Sequence, residues 1–151
     1  MVEFALVLPI LLMIVYGLLE VGRLIFIYST VVSASREATR YGSATGLVSG
    51  AEQYKDCTGI KAAAQRVDFL GVIDDTNITI YYAPTSSNPP SFTTTITNCA
   101  GSTIPDIDSG GAIKVTVTAT FTPLAAIVPL NQISITSANA RTIIGSVQIA
   151  P

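Results

Sequence analysis

The chain has 151 residues, 49% hydrophobic and only 12% charged, with a mean hydropathy of +0.54 and a formal net charge of −2. This excludes a large multidomain enzyme, a disordered chain and, since its eight scattered Lys and Arg form no patch, a nucleic-acid binder. With no His and no Trp, the commonest general base, the commonest metal ligand and every Ser–His or Cys–His pair are missing.

The apolar excess is uneven along the chain. Residues 4–19 read FALVLPILLMIVYGLL, sixteen in a row without a charge. A bilayer-spanning helix needs about 20 mostly apolar residues, with a range of roughly 17 to 25. Glu20 and Arg23 interrupt the run, and LIFIYSTVVSAS then continues uncharged to Ser35. A cleaved secretory leader begins with basic residues and ends at a small-residue site. Here Glu3 is acidic, no Lys or Arg precedes the run, and the helical pattern persists to about Ser43. A retained helix from residue 1 to about 43 is therefore expected, roughly 65 Å long at 1.5 Å per residue. That exceeds a bilayer, so its carboxyl half must leave the membrane and pack on something. Leu24, Ile27, Val31, Ala34 and Ala38 share one face at spacings of three and four. Arg36, Glu37 and Arg40 form a solvated stripe. Pro9 removes a backbone hydrogen bond within the apolar run and loosens the helix. Gly17 and Gly22 are weak points or sites of close helix approach. Gly42, Gly46 and Gly50 end the helix. Glu3, at the leading edge, is costly in lipid unless protonated or paired. It is either an interfacial group favoured by the helix dipole or a carboxylate that meets a cation, such as a neighbour's amino terminus.

The remainder, 46–151, reads as a globular α/β head, giving two parts with a boundary near residue 45. Ala51–Gly71 contains a short helix with Ile60, Ala63, Ala64, Val67 and Leu70 inward and Lys61, Gln65, Arg66 and Asp68 outward. Strand patterns follow at Thr76–Tyr82, Phe92–Asn98 and Ala112–Thr122. In the last of these Ile113, Val115, Val117, Ala119 and Phe121 alternate with Lys114 and four threonines. Pro123 and Pro129 bracket a connection, and Gln132–Ile149 gives one long strand or two. The fold class is α+β: a long helix covering the apolar face of an antiparallel sheet of about four strands.

Cys57 and Cys99, in a chain with the marks of export, predict a disulfide worth about 4 kcal/mol by loop closure, with two free buried thiols as the alternative. Without His, and without a Cys-x-x-Cys motif, neither a zinc site nor a redox motif is expected. Asp74, Asp75, Asp106 and Asp108 are calcium-ligand types, more simply read as solvated turn residues. Asn77-Ile78-Thr79 matches the glycosylation acceptor pattern, and Thr85–Thr97 is dense in Ser and Thr. No hydroxyl has a candidate activating base, so no enzyme and no cofactor are expected.

MVEFALVLPILLMIVYGLLEVGR followed by SASREATRYGS resembles the amino-terminal pattern of TadE/TadG-like pilins of tight-adherence systems, relatives of type IV pilins. The matching positions are Val2-Glu3-Phe4, Pro9, Glu20-Val21-Gly22-Arg23 and Ser35–Tyr41. Val115–Pro129 and Ile133–Gly145 are similar to that family's last two strands. The resemblance implies a type IV pilin-like fold and a structural subunit of an extracellular filament used in attachment. Its partners would be copies of itself, the inner membrane before assembly, a prepilin peptidase and the pilus assembly machinery. Glu3 would set axial register, with Phe4, Pro9, Gly17, Glu20 and Arg23 completing the assembly surface. In type IV pilins the processed glutamate is commonly fifth. Here it is third, which implies either two further residues and a short leader upstream or different cleavage. A minor pilin that primes or tips a filament, favoured by a chain longer than small Tad major pilins, and a membrane-anchored binding module are the alternatives.

Overall fold

The computed structural model describes residues 2–124 and 132–144, apart from the side chains of residues 2, 3 and 5. One helix, α1, runs unbroken from Val2 to Gly42, 41 residues and about 60 Å. Pro9 lies inside it without ending it. A two-stranded hairpin follows, β1 (Leu47–Val48) against β2 (Ala51–Glu52). Its turn places Ser49 and Gly50 at positive φ, 52° and 84°, as a two-residue hairpin turn demands. Gly50, expected to help end α1, instead turns this hairpin, and the helix closes at Gly42.

Helix α2 spans Cys57–Gln65. Asp56 caps it: its carboxylate accepts from Gly59 N–H at 2.9 Å and from the Thr58 hydroxyl at 2.8 Å. The same carboxylate accepts from the Tyr41 hydroxyl at 2.8 Å, so one residue fixes α2 against α1. Ile60, Ala63 and Ala64 are buried as expected. Leu70 is exposed because α2 ends at Gln65, after which helical periodicity no longer governs direction. Asp68 turns inward to accept from Leu70 and Ile73 N–H, at 3.2 and 2.6 Å, closing the loop. Lys61, expected outward, is buried. It stands at the i+4 position of a face whose i and i+3 members are Cys57 and Ile60, and its charge conceals that membership.

The sheet has four antiparallel strands: β3 (Ile78–Ala83), β4 (Thr94–Ile96), β5 (Ala112–Phe121) and β6 (Ile133–Thr142), in the order β4-β3-β5-β6. The expected alternation holds, with Ile78, Ile80 and Tyr82 facing the same side as Ile113, Val115, Val117, Ala119 and Phe121. A single turn of 3-10 helix, Asp75–Asn77, replaces the first two positions expected of β3. The part of the final strand expected beyond residue 144, and Pro129, lie outside the described residues.

The carboxyl half of α1 covers the sheet. Ile27, Val31, Ala34 and Ala38 have no exposed surface, and Leu24 packs at the edge of their cluster. At roughly 1.5–3 kcal/mol for each large side chain buried, this face anchors the helix. Gly42 is where α1 passes closest: a Cβ there would stand 2.6 Å from Ile113 Cδ1 and 3.1 Å from Ile60 Cδ1. The inward face of β6 turns polar after Ile135, and α1 matches it. Ser35 and Ser137 hydroxyls are 3.0 Å apart, and the Thr39 hydroxyl donates to Asn139 O at 3.2 Å. The outer sheet face carries the threonines, with the Thr118 and Thr136 hydroxyls 3.2 Å apart and Lys114 set between the Tyr81 and Phe92 rings.

Candidate assembly surface

Among the described residues, the amino-terminal half of α1 touches almost nothing outside itself. From Phe4 to Leu19 its large apolar side chains stand exposed on every side, from 43% at Leu8 to 74% at Phe4. By length and composition, α1 is the one helix among the described residues that could cross a membrane. Such a surface requires lipid or protein around it, because water around so many aliphatic groups is strongly unfavourable.

Glu20 and Arg23 mark the boundary between this bare rod and the head. Glu20 Oε1 accepts from the Tyr16 hydroxyl at 2.6 Å and from Leu124 N–H at 2.8 Å. Arg23 Nη1 donates to Thr122 O at 2.8 Å, and its guanidinium lies over the Phe121 ring, 5.1 Å from the centroid. The two side chains approach each other at 3.7 Å, one helical turn apart. The structure brings them together within one chain and uses both to hold the far end of β5, so the head is tied to the helix where the apolar run ends.

The other expected positions fall as follows. Phe4 and Pro9 lie on the bare half of α1, Phe4 exposed. Among the described residues, a Cβ at Gly17 or Gly22 would meet nothing within 4 Å, so neither glycine is required there by close packing. Glu3 is on α1, and its side chain lies outside those described. Cys57 and Cys99 are joined, tying the start of α2 to the segment after β4 across 42 residues of sequence. Asn77 sits in the turn before β3, where its amide donates to Val72 O at 3.3 Å. Asp106 is bound by Lys55 at 2.5 Å, and Asp75 by Gln65 at 3.0 Å. Among the described residues no three acidic or cysteine groups converge on a metal position.

The electrostatics of the head are local. Burial raises the Asp56 carboxyl, but the bonds from Gly59, Tyr41 and Thr58 outweigh it and hold the group below the usual carboxylate range. The hydrogen bond from Lys55 keeps Asp106 low and raises Lys55 in return. Burial drives the Tyr82 phenol well above its ordinary value, and its hydroxyl donates to Tyr54 O at 2.8 Å.

Residues 1–40 match the model of the TadE-like protein family. The match covers the bare rod, the Glu20–Arg23 boundary and most of the packed half of α1. It makes the chain similar over that helix to Tad pilus-associated proteins. No curated protein and no solved structure matches the chain.

Proposed function

We propose that the chain is a structural subunit of a Tad-type pilus, held in the cytoplasmic membrane by the first half of α1 and then bundled through that half with copies of itself. The observation that carries this reading is the division of one continuous helix: its second half is built into the core of the head, and the large aliphatic side chains of its first half, from Leu6 to Leu19, stand exposed. The TadE-like match over the same helix supports it. On assembly the surroundings of Phe4–Leu19 change from lipid to neighbouring helices. Close packing, rather than exclusion of water, then supplies most of the gain. Glu3 pairs with a neighbour's amino terminus and fixes axial register, after processing by a prepilin peptidase. Phe4 packs in the bundle, while Pro9 and Gly17 let the helix adjust in a crowded centre. The Glu20–Arg23 pair closes the edge of that centre, and the threonine face of the sheet is available to coat the filament.

Electron microscopy of the shed extracellular fraction, with mass spectrometry of the same material, tests the reading. Filaments composed mainly of this chain are expected. Filaments containing it only in trace would reassign it as a minor pilin. A chain that never leaves the membrane would make it an anchored binding module.

A further inference from the structure

The head carries an apolar rim at the level where α1 would leave a membrane. A hydrocarbon core of about 30 Å takes about 20 helical residues. Counted from Phe4, the first residue past Glu3, that length ends at Arg23. The headgroup layer on that side adds roughly 5–8 Å, or about five residues, Leu24–Tyr28. Ile25, Phe26 and Tyr28 stand exposed there.

Two separate parts of the head reach the same level. Beyond α2, Phe69 lines a shallow groove with Phe26, Ser29 and Thr30 of α1. Phe69 is 83% exposed, and Leu70 beside it is exposed as well. The loop is built to present them. Asp68 turns its carboxylate inward onto Leu70 and Ile73 N–H, so the charge is withdrawn and an apolar tip remains. At the end of the sheet Leu124 is 76% exposed, and its N–H is bound to Glu20. Ile133, also exposed, pairs with Phe121, whose ring lies against Arg23. Singly exposed apolar residues are ordinary on a soluble domain. Here four of the six large ones that the head exposes among the described residues fall beside the Glu20–Tyr28 stretch of α1.

From this placement we infer that the head rests on the bilayer surface, with Phe69 and Leu70 in the headgroup layer and Leu124 at the top of the hydrocarbon. That layer favours aromatic and aliphatic groups carried beside a polar body. The occupant is lipid because the rim adjoins the turn of α1 that the bilayer itself reaches, and a second copy would have to displace lipid to meet it. The inference rests on the membrane-bound stage of the proposed function and adds to it a fixed height and facing of the head. Leaving the membrane then withdraws rim and rod together, since Glu20 and Arg23 bind Leu124 and Thr122.

The test exploits the absence of Trp from the sequence, so that each substitution introduces a lone fluorophore. Leu18→Trp reports on the rod, Phe69→Trp on the rim, and Leu47→Trp on the far end of the head, past the carboxyl end of α1. All three positions are exposed, so the larger ring is accommodated without repacking. The full chain is reconstituted in phosphatidylcholine vesicles, either plain or brominated high on the acyl chain. Leu18→Trp and Phe69→Trp are expected to emit at shorter wavelength than Leu47→Trp and to lose emission to the bromines. Leu47→Trp is expected to ignore the bromines and to be quenched by aqueous acrylamide. Phe69→Trp emission that matches Leu47→Trp while Leu18→Trp is quenched overturns the inference and leaves the anchored helix standing. Blue-shifted Phe69→Trp emission that the bromines do not reduce identifies a second copy as the cover and also overturns it. A Leu18→Trp protein that the bromines do not quench removes the membrane anchor and the inference with it.

Discussion

Asp56 shows how one side chain can join elements that the sequence lists separately. It caps α2 through Gly59 N–H and holds Tyr41 of α1. Its carboxyl is depressed, so its contribution to stability is complete above the unfolded value near pH 3.9 and is lost as the pH falls through the lower folded value. Acid titration of folded stability should show a loss below about pH 4 that is smaller in Asp56→Asn. Equal acid sensitivity in the two proteins would show that the carboxylate does not carry this part of the profile. Gly42 makes a different demand, for space. Its φ is ordinary, so conformational freedom is not the reason for glycine. The reason is the approach of Ile113 and Ile60. Gly42→Ala should cost about 1–3 kcal/mol by overpacking, read by chemical denaturation of the head, with the isoleucine ends yielding part of the strain. Gly17→Ala, where the added methyl meets nothing in the chain, should leave the same measurement unchanged.

At the scale of elements, what was legible was periodic. The span of α1, the inward face Ile27–Val31–Ala34–Ala38 and the alternation of β5 follow from spacing alone, because each buries one face against one partner. The hairpin at Leu47–Glu52 was not seen, since two-residue strands carry too little alternation to register. Ser49-Gly50 was the available sign. Lys61 was misplaced for a different reason. Its spacing from Cys57 and Ile60 puts it inside, but its charge points outward in a sequence. Only the tertiary structure shows the Asp75 and Thr97 carbonyls that receive it. Glu20 and Arg23 could be recognised as a pair, yet their second duty, holding Leu124 and Thr122, depends on contacts about 100 residues away in sequence. The Cys57–Cys99 bond closes a loop of 42 residues between α2 and the β4 edge. Reduction should lower head stability by about 4 kcal/mol in the chain-entropy account. Denaturation of the reduced and oxidised proteins checks this, and a difference below about 1 kcal/mol would contradict it.

The whole molecule is a head fitted to the upper part of a helix whose lower part, Phe4 to Val15, stays exposed among the described residues. Its composition is explained by that division. The apolar excess that sets it apart from a soluble domain is concentrated in Phe4–Leu19, and the head alone has an ordinary sheet with a threonine outer face. The Glu20–Arg23 boundary ensures that moving the helix moves the head with it. On the proposed function, Glu3→Ala should leave the head folded and the helix membrane-bound while filaments become absent or disordered in micrographs. Normal filaments from that variant would remove the register role from Glu3. The central claim concerns where the bare half-helix resides after assembly. Cryo-electron microscopy of shed filaments measures this directly. The account predicts a central bundle in which residues 4–19 of every copy pack on their neighbours, with the heads outside. Filaments lacking such a bundle, or carrying these residues at the surface, would contradict it.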